Sequence, residues 1–167
     1  MASSPDIRST RDGGFTLVEL VVIILLLGIL AFTAIPRFLD KGAIDVSVMA
    51  EQLANDMRYT QSLAMASGQR NRINLTATTY QITTSSGGLV THPVTGSANP
   101  IVLSGVTLGG WSPPLTNNYV AFDGRGVPYS LVTSSTGLAA NATITLSGGG
   151  HTRSIVISPE TGRVVVQ

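Results

Sequence analysis

From Phe15 to Ile35 the chain reads FTLVELVVIILLLGILAFTAI, twenty-one residues with one formal charge, the carboxylate of Glu19. From Leu20 onward, sixteen residues carry no charge. A bilayer-spanning helix needs roughly 20 predominantly apolar residues, so this segment predicts a membrane helix. A carboxylate in such a helix costs about 2.5–3.5 kcal/mol at the bilayer centre and less near its surface. A charge kept there marks a functional position and asks for a partner.

The polar stretch MASSPDIRSTRDGG comes before this run, not after it. An ordinary secretory signal is cut behind its apolar region, at small residues, and no clean Ala-x-Ala site follows Ile35. Arg8 and Arg11 balance Asp6 and Asp12. Topology follows basic residues and largely ignores acidic ones. The two arginines therefore predict a cytoplasmic N-terminus.

Two interruptions lie within the helix. Pro36 removes a backbone hydrogen bond and disfavours α conformation at Ile35. Gly28 lowers local helix stability. The segment between them is expected to kink or unwind at modest cost; packing against a neighbour through Gly28 is the simpler alternative.

The residues Gly14-Phe15-Thr16-Leu17-Val18-Glu19, followed by the apolar helix and Pro36, resemble the class III leader junction of type IV pilins and type II secretion pseudopilins. The resemblance implies cleavage between Gly14 and Phe15 by a prepilin peptidase and N-methylation of the new Phe15 amine. It implies a filament subunit of the bacterial inner membrane that assembles with other pilins or pseudopilins. Glu19 would meet the Phe15 amine of an adjacent subunit, and the helix would bend between Gly28 and Pro36 on assembly. A simple single-span anchor is the bland alternative.

The residues beyond the anchor, about 130, suit one ordinary domain. A net charge of +1 gives no broad push toward nucleic acid or anionic lipid. The absence of cysteine removes disulfides, zinc–thiolate sites and thiol nucleophiles together. Many major pilins close a C-terminal loop with a disulfide, so the chain looks closer to pseudopilins and minor pilins.

After Pro36, Val46, Met49, Leu53, Met57, Thr60 and Ala64 mark one helix face at a period near 3.6. Glu51, Gln52, Asp56, Arg58 and Gln61 are placed on the opposite, solvated face, and Ser67-Gly68 is a plausible helix end. From Asn71 onward, β-branched and aromatic residues alternate with Thr, Ser and Asn, which predicts half-buried strands, Val90 and Leu131 included. ATITLS, RSIVIS and RVVVQ, framed by the turns at 148–150 and 159–162, predict an antiparallel meander. Residues 87–114 are expected to be partly irregular, with Trp111 as a contact point or the cover of a sheet edge. The expected class is α+β: a long N-terminal helix, half transmembrane and half amphipathic, packed on an antiparallel β domain. The expected divisions are leader 1–14, assembly helix 15–36, amphipathic half 37–68 and periplasmic β domain 69–167.

A second resemblance rests on Phe122-Asp123-Gly124-Arg125-Gly126-Val127-Pro128 and on Thr161-Gly162-Arg163-Val164. With the N-terminal match, these look like the GspH/FimT-like minor pseudopilins and minor pilins. Some FimT-like proteins bind DNA through basic residues near the C-terminus, which makes Arg125, Arg153 and Arg163 candidate DNA contacts and a competence pilin the runner-up. A membrane-anchored binding domain outside any filament comes third. No phosphate loop, nucleophile elbow or calcium loop is present in the sequence, so no enzyme and no cofactor or metal is expected. His92 and His151 are expected to be solvated loop residues.

Overall fold

The computed structural model describes residues 14–38, 41–112, 114–115 and 117–167, leaving aside the side chains of 32–38. The leader up to residue 13, the Pro36 side chain and Pro113 lie outside the described residues. The chain divides into two compact units, 1–39 and 40–167.

In the first unit, helix α1 spans Leu17–Phe38. Its start is capped by Thr16, whose Oγ1 accepts the Glu19 N–H at 3.2 Å and whose carbonyl accepts the Leu20 N–H at 3.2 Å. Ser or Thr before a helix, with Glu three residues on, satisfies backbone donors that the helix itself cannot.

The second unit is built on α2, Lys41–Ser67. Its buried face comprises Val46, Ala50, Leu53, Ala54, Asp56, Met57, Thr60 and Ala64. Five of the six predicted stripe positions are buried, and Met49 packs partly buried against the same core. The helix ends at Ser67, where the sequence predicts.

Among the described residues nine strands follow: β1 Asn71–Leu75, β2 Thr79–Thr84, β3 Ile101–Val102, β4 Thr107–Ser112, β5 Tyr119–Phe122, β6 Pro128–Tyr129, β7 Ala142–Gly148, β8 His151–Ile157 and β9 Val164–Val166. They form two antiparallel sheets, ordered β3-β2-β1-β5-β6 and β4-β7-β8-β9. The C-terminal meander is β7-β8-β9, in register from Ala142 opposite Ile157 to Gly148 opposite His151. β4, from the stretch expected to be partly irregular, adds to it as a fourth strand. Trp111 sits on this edge strand opposite Ile144, partly buried against the core. Val90 and Leu131 are not in strands. Leu89 makes only an isolated bridge to Thr83, and Leu131 lies in a bend just beyond the two-residue β6.

One core joins α2 to the inner faces of both sheets, including Ile73, Val120, Phe122, Ile144, Leu146, Ile155 and Ile157. Burying each such side chain is worth about 1.5–3 kcal/mol. β5 is buried on both faces: Val120 and Phe122 join that core, while Tyr119 and Ala121 pack with Tyr129 in a small second cluster. Arg70 closes this outer cluster. Its guanidinium lies 3.9 Å from the Tyr129 ring centre and donates to the carbonyls of Val132 and Ser134.

Candidate assembly and processing site

Gly14 and Phe15 precede the capped turn of α1, and Phe15 is 77 % exposed. Large apolar side chains from Leu17 to Leu30 are all exposed, on every side of the helix. A helix apolar all round is not a surface helix of a soluble domain; it needs lipid or other helices around it. Among the described residues no helix is long and apolar enough to cross a membrane. The described side chains of α1 reach only Ala31, short of the whole run to Ile35.

Glu19 sits in the first turn of α1, where a negative charge complements the helix dipole. It makes no ion pair among the described residues. A Cβ on Gly28 would meet nothing within 4 Å, so no packing among the described residues demands glycine there. Pro36 lies inside the bounds of α1.

The structure brings the two C-terminal sequence patterns together. Gln61 Nε2, on α2, donates to the carbonyl of Gly126 at 2.8 Å and to that of Thr161 at 2.9 Å. Gly162 packs directly on the Gly126 carbonyl. One glutamine side chain thus ties both turns to the helix. It lay on the face expected to be solvated, and nothing in its spacing announces that role.

The three candidate arginines do not form one cluster. Arg125 pairs with Asp123 at 3.1 Å, its own side chain 77 % exposed. Arg163 is exposed on the adjoining turn. Arg153, on β8, donates from Nε to Ser47 Oγ at 3.3 Å. Ser47 and Gln61 are separated by roughly 21 Å along α2, at about 1.5 Å per residue. Arg153 is therefore held far along the helix from the two turns that Gln61 clamps.

Asp123 is more than an isolated turn residue. Its carboxylate accepts the N–H groups of Arg125 at 2.9 Å and Val127 at 3.0 Å, the Arg125 guanidinium, and the Tyr129 hydroxyl at 3.1 Å. Burial works to raise its pKa, but these donors outweigh burial and hold it below the usual carboxylate range.

Two expectations are overturned. Asp56 is not on a solvated face, and His92 is not a solvated loop histidine; they are 6 % and 5 % exposed. His92 Nε2 lies 2.8 Å from Asp56 Oδ1, and the Tyr80 hydroxyl donates to Asp56 Oδ2 at 2.5 Å. Burial, then the Asp56 carboxylate, push the Tyr80 phenol far above its ordinary value. A signal for Asp56 existed: it falls three residues after Leu53 and four before Thr60, on the margin of the apolar face. Nothing local linked it to His92, thirty-six residues away. Among the described residues no group of three His, Asp or Glu side chains could hold a metal ion.

Comparison with known proteins agrees with the fold. The prokaryotic N-terminal methylation motif matches residues 9–35. The family of the Type II transport protein GspH matches residues 49–162. A comparison with curated protein sequences gives no significant match. Two crystal forms of the type IV minor pilin FimU of Pseudomonas aeruginosa (strain PAO1) share the fold. They align with TM-scores of 0.52 and 0.53 at 16 % and 15 % identity, over 72 % and 73 % of this chain and 91 % and 87 % of theirs. The minor pseudopilin EpsH from the Type 2 Secretion System of Vibrio cholerae aligns at a TM-score of 0.48 and 12 % identity, over 74 % of this chain and 96 % of its own. With the GspH match over most of its second unit and the methylation motif on its first, the chain belongs to the family of the Type II transport protein GspH.

Proposed function

We propose that this subunit is a single-pass protein of the bacterial inner membrane, with its C-terminal domain in the periplasm, and that it joins a filament after processing. A prepilin peptidase cuts between Gly14 and Phe15, and the new Phe15 amine is methylated. Residues 15–36 then serve as anchor and assembly helix, and the domain beyond them faces the periplasm. The sequence supports the span: the apolar run continues to Ile35, past the last described side chain of α1. The residues Gly28 and Pro36 weaken that helix enough for it to bend or unwind as subunits pack.

The observation that carries this reading is Glu19, a single carboxylate on a helix whose other side chains there are apolar and exposed. Its backbone N–H is satisfied by Thr16, but its charge has no cation among the described residues. The Phe15 amine of an adjacent subunit is a cation of the required kind, and pairing removes the bilayer cost of both charges together. This pairing fixes the register of the incoming subunit.

The test follows processing and assembly in one experiment. Intact mass of the membrane-extracted protein is expected to begin at a methylated Phe15. Glu19→Val is expected to insert in the membrane as well as the parent, yet to lose co-purification with the other pilins. Retention of residues 1–14 in cells with an active peptidase, or normal co-purification of the variant, overturns the proposal. The competence-pilin alternative draws no support from the separated arginines.

A further inference from the structure

A groove of about 630 Å³ runs along α2, with Val48 and Glu51 on the helix and Val94 and Thr95 on the facing turn. The buried pair of Asp56 and His92 is part of its lining. Both nitrogens of His92 are occupied. Nε2 meets Asp56 Oδ1 at 2.8 Å, while Nδ1 accepts the N–H groups of Val94 and Thr95, each at 3.3 Å. A ring nitrogen that accepts carries no proton, so this arrangement is the neutral imidazole with its proton on Nε2, donated to Asp56.

We propose that His92 is a proton-sensitive latch: a proton added to Nδ1 releases Val94 and Thr95 from the ring, while the imidazolium stays on Asp56. The added proton lands where two N–H donors already point, and three donors cannot share that space. The bond to Asp56 strengthens instead, since a charge-assisted hydrogen bond is roughly twice as strong as a neutral one. The titratable groups around the ring are Asp56 and Glu51 of α2 and Tyr80 of β2. The two backbone N–H groups that an added proton meets are held by Nδ1 through long and therefore weak bonds, each at 3.3 Å.

The response is local. The same turn is also closed by the His92 N–H to Ser97 at 2.8 Å and the Gly96 N–H to His92 at 2.9 Å, neither of which involves the ring. Val94 is 86 % exposed, so moving it sacrifices little burial. The neutral ring holds the turn at higher pH, and the hold is lost as pH falls. The groove beside α2 then loses one wall.

The full chain in detergent micelles, followed by nitrogen-15 NMR from about pH 8 to about pH 5, spans the window in which imidazoles titrate. The expected result is a ring protonated on Nε2 alone at high pH. As it titrates, amide exchange at Val94 and Thr95, corrected for its intrinsic pH dependence, rises about tenfold. Exchange at Gly96 stays constant. His92→Gln is expected to abolish the pH response. Three results overturn the latch: a ring protonated on Nδ1 at high pH, a ring that does not titrate in this window, or one that titrates while both amides keep their protection. A pH response that survives in His92→Gln does the same; if that variant fails to fold, the parent titration decides.

Discussion

The α-carbon of Gly162 rests on the carbonyl oxygen of Gly126, and a Cβ there would overlap that oxygen and stand 2.5 Å from Gln61 Nε2. Gly162 also takes a φ of 64°, in the left-handed region. Gly162→Ala therefore meets both a backbone penalty and an overlap with backbone, and is expected to cost about 2–4 kcal/mol. Gly150→Ala is the control. Its φ is 81°, but nothing lies within 4 Å of the added carbon, so only the conformational part, about 1–2 kcal/mol, is lost. Thermal unfolding followed by circular dichroism should give a clearly larger fall in apparent Tm for Gly162→Ala.

Acid should act on the turn beside this contact. The Asp123 carboxyl is held below its usual range when folded. A depressed folded value means the contribution is present above the unfolded pKa, near 3.9, and is lost as pH falls through the lower folded value. Asp123→Asn is expected to lower stability at neutral pH and to flatten the acid limb below about pH 4. Unfolding midpoints of parent and variant across that range check this; parallel acid limbs would contradict it.

Tyr80 behaves in the opposite sense. Its phenol is raised, so its contribution is complete below the unfolded value near 10 and falls away as pH climbs beyond it. Tyr80→Phe removes the donor to Asp56 Oδ2 and leaves a buried carboxylate oxygen without that partner. The expected cost is about 1–3 kcal/mol at neutral pH, with a shallower alkaline limb. Chemical denaturation at pH values on either side of about 10 separates the two effects.

The helical stripe and the meander were legible because each is local. A period of 3.6 from Val46 to Ala64, and alternation bracketed by Gly148-Gly149-Gly150 and Pro159-Glu160-Thr161-Gly162, need no knowledge of partners. The methylation motif that matches residues 9–35 was legible for the same reason. What escaped was long-range. Asp56 and Gln61 are polar residues on a helix; Gln61 reads as solvated, and Asp56 lies only on the margin of the apolar face. Only the fold reveals that one meets a histidine from a distant turn and the other two carbonyls from separate loops. Val90 and Leu131 show the converse: β-branched or apolar residues between turn formers read as strands, yet Val90 makes one bond to Ile82 of β2 beside an isolated bridge and Leu131 lies in a bend.

Those long-range contacts also decide what the basic residues can do. Non-specific DNA affinity comes from phosphates neutralised together, with log K falling by about 0.9 per contact for each tenfold rise in salt. Arg125 shares its charge with Asp123, Arg153 is held on Ser47 roughly 21 Å along α2 from Gln61, and Arg163 stands on the turn that Gln61 clamps. Three candidate cations, one of them paired with a carboxylate, offer a single duplex few simultaneous phosphate contacts. The detergent-solubilised chain is therefore expected to show no DNA binding above background at physiological salt, with a shallow salt dependence at lower salt. Fluorescence anisotropy with a labelled duplex at several salt concentrations measures both. Micromolar binding with a steep salt slope, lost in Arg163→Ala, would instead show that the arginines converge on one strand and would place a DNA-binding role ahead of a purely structural one.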